Sequence, residues 1–177
     1  APQKALASDG GLWIAMMSPA AIERVEKISA DGRWIPPSLD LKTAVDNSRK
    51  DQTYNTPALS TVFLTAQTVN WFNDNGGLSW SAGRSAKSAD ILYGWAEASP
   101  VASPFVEIES QRSKVVATID FDESVSADTI CDVLRANGIV DTNGYRKLGR
   151  NQLRIGMFPA IDPDDTLALT RCLDHVL

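Results

Sequence analysis

The sequence predicts an α/β protein, and three features carry that prediction. Residues 11–17 (GLWIAMM) are an apolar run that stands directly before a serine–proline pair of the kind that opens helices. Two long stretches follow in which apolar residues recur every three or four positions, as on one face of a helix. Residues 114–121 (KVVATIDF) then alternate with the two-residue period of a strand. Strand patterns interleaved with helix patterns are what a layered α/β fold requires.

In chain order, residues 11–17 read as a buried strand. The run is apolar without alternation, which suits a strand covered on both faces. Ser18 is a good N-cap and Pro19 fits the first helical position, so helix is expected from there to about Ile28. Residues 30–54 read as irregular, because Asp31-Gly32, Pro36-Pro37 and the polar run over 46–52 all favour turns. A loop of that length inside a domain is commonly functional. After Asn55-Thr56-Pro57 an amphipathic helix is expected, with Leu59, Val62, Phe63, Ala66 and Val69 on its buried face. Asn75-Gly76-Gly77 ends it. The next helix, about residues 79–98, turns Ala82, Ala86, Ala89, Leu92 and Ala96 towards a core.

Ser99-Pro100 and Ser103-Pro104 mark a connection at which the composition changes. Beyond it, Val115, Ala117, Ile119 and Phe121 share one face of a half-buried strand. Ser126 caps a helix that runs to about Ala136 and stops at Asn137-Gly138. Ile139 and Val140 read as a short strand, and residues 152–157 (QLRIGM) as another. Asp162-Pro163-Asp164-Asp165 opens a last helix to about Val176, its acidic first turn matching the positive end of the helix dipole. From about Val101 the chain therefore reads as a small α/β sandwich, with helices on one face of a mostly antiparallel sheet.

Bulk properties exclude some functions. A hydrophobic content of 44% lets the chain bury a sizeable core. A formal net charge of −5 and a pI near 4.8 argue against a nucleic-acid partner, which calls for clustered Lys and Arg. No apolar run approaches the roughly 18 residues of a membrane span. Cys131 and Cys172 lie in apolar-periodic stretches and read as small buried hydrophobes of a reducing compartment, so a cytoplasmic location is expected. With one histidine and no CxxC, no metal site is expected.

Three places could carry chemistry. Lys4 lies in a turn before an apolar run, among the small residues Ala5, Ala7, Ser8, Gly10 and Gly11, which allow a bulky group close to the backbone. A lysine held in low-dielectric surroundings loses its charge more readily and becomes a nucleophile towards carbonyl carbon. Pyridoxal phosphate, an aldehyde, is the common recipient. Asn55 and Thr56, ahead of a helix, could hold a phosphate with side-chain donors and free N–H groups. The segment from Gly144 to Arg154 gathers Arg146, Lys147, Arg150 and Arg154. Arg154 falls mid-strand between Leu153 and Ile155, where an unpaired guanidinium is costly, and its planar fork suits a carboxylate bound bidentately. Arg146 suits a phosphate dianion.

These pieces occur in a specific series: APQK, DGGLW, DNSRKDQTYNTP, NGGL, LRANGIVDTNGYRKLGRNQLR and FPAID. In that order they resemble phosphoserine aminotransferase, more narrowly the form found in actinobacteria, over essentially the whole chain. The resemblance implies the C-terminal portion of a fold-type-I, pyridoxal-phosphate-dependent aminotransferase, beginning just before the cofactor lysine. Residues 1–98 would be a remnant of the large cofactor-binding domain and residues 99–177 the small α/β domain. Lys4 would form the Schiff base with pyridoxal phosphate and then shuttle a proton. Gln3 would contact the cofactor phosphate, and Asn55 and Thr56 would reach across a homodimer to the phosphate of the other subunit's cofactor. Arg154 would grip the substrate α-carboxylate. Arg146 would bind the phosphate of phosphoserine or the side-chain carboxylate of glutamate.

One departure matters. Many members of the family have histidine before the arginine equated with Arg146, whereas Tyr145 stands here. A phenol donates one hydrogen bond but carries no positive charge near neutral pH. Arg49 or Lys50, in the segment before Asn55, is expected to supply the missing charge from the opposite subunit. In this family the acid paired with the pyridinium nitrogen and the ring stacked on the cofactor lie in the N-terminal half, so these residues alone are expected to have little transaminase activity. Two other readings stay open: a related aminotransferase with a different acceptor, and a non-catalytic α/β binding or dimerisation module in which Lys4 is incidental.

Overall fold

The computed structural model describes residues 2–145 and 147–177, and its first helix begins where the serine–proline pair places it. Helix α1 spans Pro19–Ala30, and the Ser18 side chain accepts from the Ala21 N–H at 3.2 Å. The apolar run before it is a correction to the sequence reading. Residues 11–17 pair with no strand, and Trp13, Ile14 and Met16 are 62%, 58% and 99% exposed. A strand needs a hydrogen-bonded neighbour, and none of the described residues offers this run an edge.

The segment read as irregular is partly ordered. A 3-10 turn at Pro37–Leu39 leads into α2, Leu41–Ser48. Asp40 caps it, accepting from the Lys42 N–H at 2.9 Å and the Thr43 hydroxyl at 2.6 Å. Lys42 pairs with Asp46 one turn on at 2.5 Å and reaches Glu26 of α1 at 3.6 Å. Polar composition hid this helix, because its stability lies in capping and ion pairs more than in an apolar stripe.

Helix α3 (Leu59–Asp74) and helix α4 (Gly77–Ala98) form an antiparallel hairpin. Gly76 makes the turn with φ 116°, and a Cβ there would stand 3.2 Å from the Trp80 Cβ. Both helices exist as expected, but the buried faces differ. In α3 the buried residues are Thr61, Thr65 and Phe72, whereas Leu59 and Phe63 are 77% and 60% exposed. In α4, Ala82 is exposed and the early buried face is Ser81, Ser85 and Ser88, before Ala89, Leu92 and Ala96 take over as foreseen. Apolar residues surround much of α3, so periodicity alone admits more than one face. Tertiary packing, not periodicity, selects the small hydroxyl residues that are buried.

Three antiparallel strands form one sheet in the order β1 (Ala102–Pro104), β2 (Val116–Phe121), β3 (Gln152–Gly156). Ala102 pairs with Phe121, and Thr118 with Arg154. Strand β1 escaped the sequence reading because it is three residues long and ends in proline. Ile139 and Val140 form no strand. Instead Asn143 bridges to Leu153, and the Arg154 N–H donates to the Thr142 carbonyl at 2.9 Å, so residues 142–143 line the free edge of β3. Helix α5 (Ala127–Ala136), capped by Ser126, and helix α6 (Pro163–Val176), capped by Asp162, complete the fold. The core joins Leu92 and Ala96 of α4, Leu134 of α5 and Leu173 of α6 to the sheet face carrying Ala117, Ile119, Leu153 and Ile155. No helix among the described residues is long and apolar enough to cross a membrane.

Candidate active site

The lysine turn is built on α3. The Ala7 N–H donates to the Lys4 carbonyl at 3.0 Å and the Ser8 N–H to the Pro2 carbonyl at 3.1 Å, folding residues 2–8 back on themselves. Ala7 sits at φ 44°, a left-handed conformation that a small residue bears with least strain. Thr61, 1% exposed, then fastens the turn from both of its polar ends. Its carbonyl accepts from the Ser8 hydroxyl at 3.0 Å, and its own hydroxyl donates to the Gly10 carbonyl at 2.8 Å. Gly11 (φ 98°) passes close to α3, where an added Cβ would lie 3.4 Å from the Ala58 Cβ. Ser8 and Thr61 were missed in the sequence, where nothing marks a pairing between positions so far apart.

Lys4 is exposed and lines an open cleft of about 880 Å³ with Arg154, the 138–142 connection, Phe158, and Asp165 and Cys172 of α6. The cleft brings together residues from the first turn and the last strand. Strand alternation places Arg154 on the face of β3 away from the helices, so its guanidinium is exposed; the expected cost of burial does not arise. The guanidinium carbon stands 5.6 Å from the centre of the Tyr145 ring. Among the described residues no carboxylate pairs with Arg154. Asp141 and Asp165 add negative charge to the wall, and Asp141 is paired with Arg135 at 3.2 Å.

The other cations divide by what they touch. Arg150 pairs with Asp120 at 2.5 Å and lies 4.7 Å over the Phe105 ring, so it serves the sheet. Arg146 lies outside the described residues. Arg49 follows α2, and its guanidinium is 3.6 Å from Glu26 and 3.8 Å from Asp46. Lys50 is exposed, with no ion pair among the described residues. Gln3 is exposed beside Lys4. Asn55 and Thr56 are exposed and do not line the cleft. Helix α3 begins at Leu59 with no side-chain cap, so Asn55, Thr56 and Pro57 all precede the helix.

Burial pushes up the Cys131 thiol, while Cys172 is half-buried in the cleft wall. Behind that wall Asp162 is held below the usual carboxylate range by the Asp164 N–H and by Arg84. Arg84 reaches the Pro159 carbonyl at 2.8 Å and Asp162 at 3.1 Å, and lies 5.0 Å over the Trp80 ring. That guanidinium ties the β3–α6 connection, which supplies Phe158 and Ile161 to the cleft, to the helical hairpin.

No protein-family model matches the chain. Over all 177 residues it is 59% identical to proteins named phosphoserine aminotransferase from Rhodococcus jostii and Rhodococcus opacus. The chain spans about half the length of these curated relatives, 48% in each case. Among solved structures it is similar to a phosphoserine aminotransferase from Cytophaga hutchinsonii, with a TM-score of 0.80 and 20% identity over 90% of this chain and 43% of that one. Equally similar in fold is an alanine–glyoxylate aminotransferase from Nostoc sp., with a TM-score of 0.80 and 19% identity over 99% of this chain and 46% of that one. A phosphoserine aminotransferase from Trichomonas vaginalis, described with pyridoxal phosphate bound, matches with a TM-score of 0.66 over 80% of this chain and 39% of that one. The fold is thus part of the aminotransferase fold.

Proposed function

We propose that these residues are the C-terminal half of a phosphoserine aminotransferase, which exchanges an amino group between O-phospho-L-serine and 2-oxoglutarate in serine biosynthesis. The observation that carries this is the cleft, whose lining includes both Lys4 and Arg154, the latter with no carboxylate partner among the described residues. A transaminase needs an amine for its coenzyme and a cation for the α-carboxylate that all its substrates share. Identity of 59% over the full chain to proteins of that name supports the choice within the fold.

The residues fit pyridoxal phosphate: a primary amine in a small-residue turn, with about 880 Å³ of open space before it. When bound, the cofactor supplies an aldehyde for the amino group and an electron sink for the α-carbon. The chain's own residues then bind and move protons. Arg154 takes the α-carboxylate along the edge of its guanidinium plane. Lys4 Nζ holds the proton that leaves the substrate α-carbon and returns it at the far end of the exchange. Gln3, next to it, contacts the cofactor phosphate. Asn55 and Thr56, exposed and away from the cleft, reach the cofactor phosphate of a second subunit in a homodimer. Arg49, Lys50 and Arg146 meet the substrate's distal anion.

Residues 1–98 belong to the large domain and residues 99–177 to the small one, with the end of α4 packed into the core of the latter. The enzyme is cytoplasmic. These residues alone are inactive, because part of the cofactor pocket lies outside them. The test is an assay of the full-length protein with 3-phosphohydroxypyruvate and L-glutamate. Turnover that disappears in Lys4→Ala supports the reading. Turnover retained in that variant, or none in the wild type, refutes it. The equal fold similarity to an alanine–glyoxylate enzyme makes glyoxylate the alternative acceptor to include, and preference for it would favour the related-aminotransferase reading.

A further inference from the structure

We infer that Tyr145 is a positioning residue for Arg154: its ring is a platform that aims the guanidinium edge at the substrate α-carboxylate. The inference rests on the function proposed above for Arg154. Its starting point is geometric, the guanidinium carbon lying 5.6 Å from the Tyr145 ring centre. A cation within about 6 Å of an aromatic face is attracted by the ring's quadrupole. Arg154 needs such support, because it stands exposed on the outer face of β3 with no carboxylate partner among the described residues. An arginine side chain in that setting samples many rotamers, and each ordered binding event must overcome that freedom.

The two demands on the guanidinium are compatible. A guanidinium that meets a ring with its face keeps its N–H donors free, because they lie in the molecular plane. Such a contact restrains the side chain and leaves the bidentate edge to the carboxylate. The backbone fixes the platform's position. The Arg154 N–H bonds the Thr142 carbonyl, Asn143 bridges to Leu153, and Gly144 approaches β3 so closely that a Cβ there would lie 2.8 Å from the Gln152 carbonyl. Residues 142–145 thus run along the edge of the strand that carries Arg154, and Tyr145 follows at the point where its ring meets the guanidinium.

This assigns Tyr145 to the α-carboxylate and not to the phosphate, and the two roles separate in experiment. In the full-length protein, Tyr145→Phe keeps the ring and removes the hydroxyl, whereas Tyr145→Leu removes the ring. The inference expects Tyr145→Phe to match the wild type. It expects Tyr145→Leu to raise KM for phosphoserine and for glutamate alike, by about three- to tenfold, with kcat little changed and Tm within a degree or two. A rise confined to phosphoserine and seen already in Tyr145→Phe would make the hydroxyl a phosphate ligand and overturn the inference. Loss of Tm in step with activity would make the role structural and overturn it too.

A second readout is independent of catalysis. In the NMR spectrum of the full-length protein, the Nε–H resonance of Arg154 should be displaced upfield by the ring current. That displacement should persist in Tyr145→Phe and vanish in Tyr145→Leu. An undisplaced Arg154 resonance in the wild type sinks the inference whatever the kinetics show. A displaced resonance in a protein that fails to transaminate would instead refute the proposed function while leaving the platform in place.

Discussion

Thr61 holds the lysine turn by its carbonyl and its hydroxyl, and a change at this buried position therefore reaches Lys4. Thr61→Val keeps the shape and leaves the Gly10 carbonyl without its donor, a loss on the order of 1–3 kcal/mol. The expected outcome in the full-length enzyme is a lower kcat that Thr61→Ser restores, measured at saturating substrate. Two other residues separate by their partners. Arg49 already faces Glu26 and Asp46, whereas Lys50 has no such pair among the described residues. Lys50→Ala should raise the phosphoserine KM more than Arg49→Ala, with the glutamate KM as the internal comparison; equal, unchanged values for both would remove this segment from substrate binding. At this scale the sequence singled out Lys4 and Arg154 as candidates, because chemistry calls for rare residue types in a motif, and both line one cleft. It was silent on Ser8, Thr61 and the Tyr145 platform, because contacts between distant positions leave no periodic trace.

Helices and strands follow their local signals except where another surface decides. Ser18, Ser126 and Asp162 each cap the helix predicted for them, and Ser126→Ala should cost about 1 kcal/mol by chemical denaturation. Gly76→Ala should cost more than an ordinary surface change, since φ 116° disfavours a Cβ that would also meet Trp80 at 3.2 Å. The phase of α3 was not legible. Its pattern offers Leu59, Val62 and Phe63 as readily as Thr61 and Thr65, and only the lysine turn and α4 choose between them. Residues 11–17 failed as a strand for a related reason, since a strand is a property of two segments. Asp40 and Asp162 provide the pH dependence of the caps. Both folded values are depressed below 3.8, so their stabilising contributions are full above that value and fade as pH falls through the folded range. Melting temperature followed from neutral pH down towards pH 3 should decline at the acid end, and Asp162→Asn should flatten that decline.

The molecule as a whole presents several large apolar side chains to solvent. Trp13, Ile14, Met16, Leu59 and Phe63 are each more than half exposed. In isolation the chain should therefore self-associate, and Phe63→Glu should shift its sedimentation towards monomer. The core between sheet and helices, by contrast, is closed by residues within the chain: Leu92, Ile119, Leu134, Leu153 and Leu173 are all nearly or wholly buried. Truncation there, as in Leu92→Ala, should cost about 2–5 kcal/mol. Thiol reagents should modify half-buried Cys172 before Cys131, which burial shields and keeps protonated.

The proposed function depends first on Lys4 being the coenzyme's lysine, in the cleft that Arg154 also lines. The direct measurement is borohydride reduction of the full-length protein after incubation with pyridoxal phosphate, followed by digestion and mass mapping of every lysine. The reduced pyridoxyl group should appear on Lys4 alone, with protection against a competing carbonyl reagent. Label spread over Lys27, Lys50 and Lys87 with no preference for Lys4 would contradict it.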